Sequence, residues 1–191
     1  MAKLIRVPLP IKMDRLTRIA QVRGSDVYVH WSVFLIAVLM VSAVIRHALV
    51  TLAGIAGWLG VMLIHECGHA FAAQRYGSEV LCIDLYPIFG LCSFRAPWSK
   101  FAECVIVWGG VLAQAVVAIP VVLFLAVHGY TSVEPVDVLL ALLGPFSLAI
   151  AVLNLLPLSQ LDGAKAWKLL WLVLAAKRER RRSLAMQGGR R

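Results

Sequence analysis

The sequence predicts an all-α polytopic membrane protein with about four transmembrane helices, a β-hairpin at the membrane edge and a C-terminal interfacial helix. Three observations predict it. Of 191 residues, 61% are hydrophobic and only 15% charged, where a soluble domain carries about 25% charge. The mean hydropathy is +0.83, and apolar runs of bilayer-spanning length recur along the chain. The formal net charge of +9 is gathered at the two ends, so it describes membrane orientation and gives no reason to expect nucleic acid as a partner. An ordinary water-soluble globule and a disordered chain are both excluded.

Residues 1–30 read as a basic cytoplasmic segment, with Lys3, Arg6, Lys12, Arg15, Arg18 and Arg23 against Asp14 and Asp26. They do not read as a secretory signal, because charges interrupt residues 1–23 before any apolar core can form. From Trp31 to Ile64 the only charge is Arg46. A first span is therefore expected over roughly 31–47. A second follows over roughly 50–75, ending where Gln74, Arg75 and Gly77 combine polarity with a glycine stop. Val80–Phe94 is rich in β-formers and broken by Pro87 and Gly90, which predicts a hairpin. Cys104–Val127 carries no charge and gives the third span, with Pro120 as a kink that membrane helices tolerate. The fourth runs from about Val136 to Leu156.

Ala164–Ala176 holds Lys165 and Lys168 and is too short and too basic to span, so an interfacial helix is expected. The tail beyond it carries Lys177, Arg178, Arg180, Arg181, Arg182, Arg190 and Arg191 against Glu179. Four spans return the chain to its starting side, in agreement with two basic ends under the positive-inside rule. The expected organisation is thus a basic segment (1–30), a transmembrane core (31–163) and an interfacial helix with a basic tail (164–191). The protein should lie in the cell membrane as a multi-pass chain with both termini cytoplasmic. Cys67, Cys82, Cys92 and Cys104 form no CxxC pair and fall largely on the reducing side, so free thiols are expected.

Chemistry gathers near the inner end of the second span, where His65-Glu66-Cys67-Gly68-His69 makes an HExxH pattern. At about 100° per residue, His65 and His69 project one above the other on one helix face and can share a metal. Glu66 lies beside that face as a candidate proton acceptor, while Cys67 points away. From this composition the pattern arises by chance with a probability of about 0.003, and ionisable groups inside a membrane helix are costly unless they act. A hydrolytic zinc site needs three protein ligands and one open position, so a third ligand must come from elsewhere. Asp162 is the leading candidate. It follows the inner end of the fourth span, in Asn154-Leu155-Leu156-Pro157-Leu158-Ser159-Gln160-Leu161-Asp162-Gly163, where Pro157 and Gly163 allow the helix to open and aim a carboxylate sideways.

On these two motifs the chain resembles the site-2 protease family of intramembrane zinc metalloproteases. Weaker points of likeness are His30-Trp31-Ser32, Pro87-Ile88-Phe89-Gly90, and Gly109-Gly110 with Gln114. The resemblance covers roughly residues 17–164 and implies one zinc per chain on His65, His69 and Asp162, with Glu66 as catalytic base and Asn154 and Gln114 as substrate-binding groups. It implies cleavage of membrane-spanning protein substrates within the lipid bilayer. The chain departs from the family in having Ser159 and Gln160 where prolines are frequent and Ala164 where a second glycine is frequent. Neither departure touches an expected ligand. No PDZ or CBS module is expected, which makes this a minimal core.

Two other readings compete. A catalytically inactive relative would keep the fold and act as a membrane-protein binding or chaperone module, but its mark would be loss of the base or of a ligand, and all four groups are present. A metal carrier would need further ligands along a path through the spans, and the spans offer few. A helical substrate must also unwind before it is cut. Either the Val80–Phe94 hairpin or the strand-like Asp26–His30 segment is expected to hold it extended by edge pairing.

Overall fold

The computed structural model of the chain describes residues 16–43, 47–159 and 161–188. The expected 31–47 helix loses residues 44–46 to the undescribed part, as the basic segment loses residues 1–15. From residue 16 that segment is structured. Strand β1 (Leu16–Val22) and strand β2 (Ser25–His30) form a hairpin. Its two-residue turn places Arg23 at φ 50° and Gly24 at φ 86°, the left-handed pair that tight hairpins require.

Helix α1 (Trp31–Ala43) follows directly, then helix α2 (Ala48–Arg75). Helix α2 stops as expected: Gly77 takes φ 71° and its N–H reaches the Gln74 carbonyl, a left-handed glycine closing the last turn. The expected hairpin is present as strands β3 (Val80–Leu85) and β4 (Gly90–Phe94). It is half of something larger. Strand β2 pairs in parallel with β3, so the four strands form one mixed sheet in the order β1-β2-β3-β4. The chain is mostly helical as expected, and the expected hairpin proves to be part of a four-stranded sheet. Helices α1 and α2 are the crossover that a parallel pair requires. The alternation that signals this sheet was legible only in Asp26–His30.

One face of the sheet carries Val27, Val29, Ile83 and Leu85, all nearly fully buried against α2, with Ala70, Val33, Met62 and Leu63 completing the cluster. This seats the sheet against the helix that bears the HExxH pattern. Helix α3 (Lys100–His128) opens with the Ser99 hydroxyl accepting the Ala102 N–H at 3.0 Å and runs through Pro120. The final long rod is helix α4 (Glu134–Ala141), a π-helical turn (Leu142–Phe146) and helix α5 (Ser147–Asn154). Pro145 sits inside that turn, where the missing N–H is accommodated by the wider ring. After a loop come the short helix α6 (Gly163–Ala166) and helix α7 (Lys168–Gly188), so helix continues well past the expected end at residue 176.

Among the described residues, three helical stretches are long and apolar enough to cross a membrane: Ala48–Arg75, Lys100–His128 and Glu134–Asn154. The described part of α1 is 13 residues, short of the ~20 a span needs. Their surfaces have the polarity of membrane helices. On α3, Leu112, Val116, Ile119, Leu123 and Val127 form an exposed apolar stripe, while Ala102, Ile106, Gly110, Gln114 and Ala118 face inward. Small residues let helices approach closely, as the stripe of Ala53, Gly57, Gly60 and Gly68 suggests. A Cβ on Gly57 would stand 2.7 Å from Leu142, and one on Gly109 2.5 Å from the Gly68 carbonyl oxygen. The four cysteines are free.

Candidate metal centre

Helices α2 and α3 cross closely at Gly68 and Gly109, and the loop after α5 folds back over the crossing. This brings together the residues expected to hold a metal. His65 Nε2 lies 2.9 Å from Asp162 Oδ2, His69 Nε2 lies 3.1 Å from the same oxygen, and the two Nε2 atoms are 3.0 Å apart. Among the described residues this is the one His/Cys/Asp/Glu group able to hold a metal ion, with its ligand atoms all within 4.8 Å of one another. His65 and His69 are buried, and Asp162 is partly so.

The other ring nitrogens are fixed from behind. His69 Nδ1 meets the Ile106 carbonyl oxygen at 2.9 Å, and His65 Nδ1 meets Gln114 Oε1 at 2.8 Å. A carbonyl only accepts, so His69 must donate from Nδ1. With the Gln114 amide oxygen assigned toward it, His65 does the same. Neutral imidazoles then turn two Nε2 lone pairs and a carboxylate oxygen toward one point, with no donor between them. That donor set calls for a cation, and outer hydrogen bonds of this kind orient metal-ligating imidazoles. A tetrahedral zinc with bonds of about 2.0–2.1 Å would hold its ligand atoms roughly 3.3 Å apart, close to the separations here.

Gly110 makes room for the pair, since a Cβ there would stand 2.6–2.7 Å from atoms of both rings. Gly163 does the same for the loop, because a Cβ there would run into the Leu155 and Leu156 carbonyls. The glycine after Asp162 is therefore a close-packing residue, and Asp162 heads α6 without capping it.

Glu66 is 5% exposed and packs against Gly90 at the start of β4, with the Cys92 amide facing its carboxylate. It stands beside the His pair and shares their electrostatic environment with Asp162. Cys67 turns away from the site, as expected, and packs against the cluster between sheet and helix. Asn154 ends α5 half-buried, and its amide has no hydrogen-bond partner among the described residues. Gln114 differs from expectation. It is fully buried behind His65, with its amide nitrogen 3.5 Å from Ser147 Oγ, a place suited to holding the imidazole.

The sequence did not single out Ile106 and Ser147, which stand behind the two rings and Gln114. The first acts through its backbone, which leaves no mark in a side-chain pattern. Ser147 is aimed by the π-turn before it. The Asp26–His30 strand, expected as one of two possible substrate edges, is interior to the sheet, paired on both sides. Among the described residues, strand β4 lies at an edge of the sheet.

No family model matches the chain. A curated protein of Synechocystis sp. that carries the provisional name of zinc metalloprotease is 33% identical over 121 residues, which cover 59% of this chain and 30% of that protein. The chain thus spans less than a third of that relative's length. Among solved structures, the site-2 protease from Methanocaldococcus jannaschii superposes with a TM-score of 0.59 at 22% identity, over 85% of this chain and 73% of that one. Both findings support the resemblance drawn from the two motifs.

Proposed function

We propose that this chain, which has the fold of a site-2 protease, is an intramembrane zinc metalloprotease that hydrolyses peptide bonds within or near the transmembrane segments of membrane-protein substrates. The observation that carries the reading is the meeting of His65 Nε2, His69 Nε2 and Asp162 Oδ2 at 2.9–3.1 Å beside a buried Glu66, on helices of bilayer-spanning length. In this reading His65, His69 and Asp162 hold one zinc per chain. Bound there, zinc would supply Lewis acidity toward a peptide carbonyl and toward water.

The protein's own groups do the rest. Glu66 takes the proton from the attacking water onto its carboxylate and delivers it to the leaving amine. Gln114 and the Ile106 carbonyl hold the two rings so that their Nε2 atoms stay turned to the site. Asn154, whose amide has no hydrogen-bond partner among the described residues, would hydrogen-bond the substrate backbone or scissile carbonyl. Strand β4, an edge of the sheet among the described residues and packed at its first residue against Glu66, would offer main-chain groups to an unwound substrate. The proposed setting is the cell membrane, with residues 31–47 as a first span ahead of the three long helices, and with both basic termini cytoplasmic.

The test is cleavage of single-span membrane proteins by the full chain in lipid nanodiscs. Glu66→Gln should lower the rate by roughly 10²–10⁴-fold while zinc stays bound. Unchanged cleavage by that variant would refute the assignment of the base.

A further inference from the structure

We infer that Trp108 and Trp167 are positioning residues for the Asp162 carboxylate, their indole N–H groups pinning the turn that carries it; the inference rests on the metal reading proposed above. Asp162 faces a particular difficulty. Its two partner ligands sit on one helix four residues apart, but Asp162 arrives from a loop and heads a helix of only four residues. Ordering such a loop costs conformational entropy at every residue, and a ligand that wanders by an ångström loses its metal. Something must fix it.

The Trp108 indole on α3 donates to the Ala166 carbonyl at 3.1 Å, holding the last residue of α6. The Trp167 indole donates to the Leu155 carbonyl at 2.7 Å, tying the far end of α6 back to the end of α5. The rings meet edge to face with centroids 6.0 Å apart, so each braces the other. Asp162–Ala166 has little slack beside these two anchors. Gly163 is already pressed onto the Leu155 and Leu156 carbonyls, and the Ala166 N–H returns to the Asp162 carbonyl at 2.8 Å. Trp108 also lies on the α3 stretch whose Ile106 carbonyl orients His69, whose Gly110 admits both rings and whose Gln114 orients His65. One segment of nine residues therefore sets the geometry of all three proposed ligands.

The experiment compares Trp108→Phe and Trp167→Phe with the wild type and with Trp98→Phe, a control whose ring is 85% exposed. Phenylalanine keeps an aromatic ring but removes the N–H donor together with part of the indole's bulk, so metal-free unfolding is followed to account for the lost packing. Zn2+ affinity is measured by chelator competition on the full chain in nanodiscs, Co2+ is used as a spectroscopic probe of ligand geometry, and thermal unfolding is followed on the metal-free protein. Each indole variant should bind zinc on the order of 10-fold more weakly and show altered visible Co2+ bands, with metal-free unfolding close to wild type and Trp98→Phe unchanged. Wild-type affinity and spectrum in both variants would overturn the inference while leaving the metal reading intact. Affinity that falls only in step with metal-free stability would overturn it as well, since the indoles would then merely hold the fold. A wild-type chain that binds no zinc would sink the metal reading and this inference with it.

Discussion

At the scale of single residues, the account turns on which atoms face the centre of the site. Gly110 makes the sharpest prediction, because its replacement adds one methyl group and no chemistry. A Cβ there would press on both imidazoles, and overpacking of this kind costs about 1–3 kcal/mol. Gly110→Ala should therefore weaken zinc binding by about ten-fold or more in chelator competition while the helices stay folded by circular dichroism. Gln114→Ala should act in the same direction by freeing the His65 ring, whereas Gln114→Glu should keep an acceptor at Nδ1 and retain more of the affinity. The meeting of His65, His69 and Asp162 was legible in the sequence because metal-ligating side chains at those spacings form a recognisable pattern. Gln114 was legible as a polar group in an apolar span but not in its role, which depends on the neighbour it meets across a helix crossing.

At the scale of elements, the sheet was the least legible part. Asp26–His30 alternates and Val80–Phe94 is rich in β-formers, but the parallel pairing of β2 with β3 joins residues separated by two helices, and nothing local encodes it. Strand β3 carries a group with a measurable consequence. Asp84 is 1% exposed, and one of its carboxylate oxygens has no partner among the described residues. Burial pushes its carboxyl above the ordinary value. A raised carboxyl favours folding while protonated, and that contribution is lost as pH rises through the folded-state pKa, above the usual carboxylate range of about 4. Asp84→Asn should make thermal unfolding less dependent on pH in the window just above that range, and an unchanged profile would remove Asp84 as the cause. The loop after α5 offers a second test. Gly163→Ala should displace α6 from the Leu155 and Leu156 carbonyls, carrying Asp162 with it, and zinc retention should fall far more than for Ala164→Gly next to it.

At the scale of the whole molecule, the arrangement is inside-out relative to a soluble protein, with Leu112, Val116 and Val127 outward and Gln114 and the His pair inward. That inversion is what composition alone announced, through many apolar residues and few charges. Sidedness turns on residues 31–47, because three spans leave the termini on opposite sides and four return them to the same side. With reporters fused at each terminus and at residue 130, both ends should report the cytoplasm and the loop the opposite face. Termini on opposite faces would remove the first span and require a different entry path for the substrate.

The central claim is that His65, His69 and Asp162 together grip a single zinc ion. The most direct measurement is elemental zinc content of the purified full chain, wild type beside Asp162→Ala. About one zinc per wild-type chain and almost none in the variant is the predicted result. A zinc-free wild type, or a variant that keeps its full complement, would contradict it.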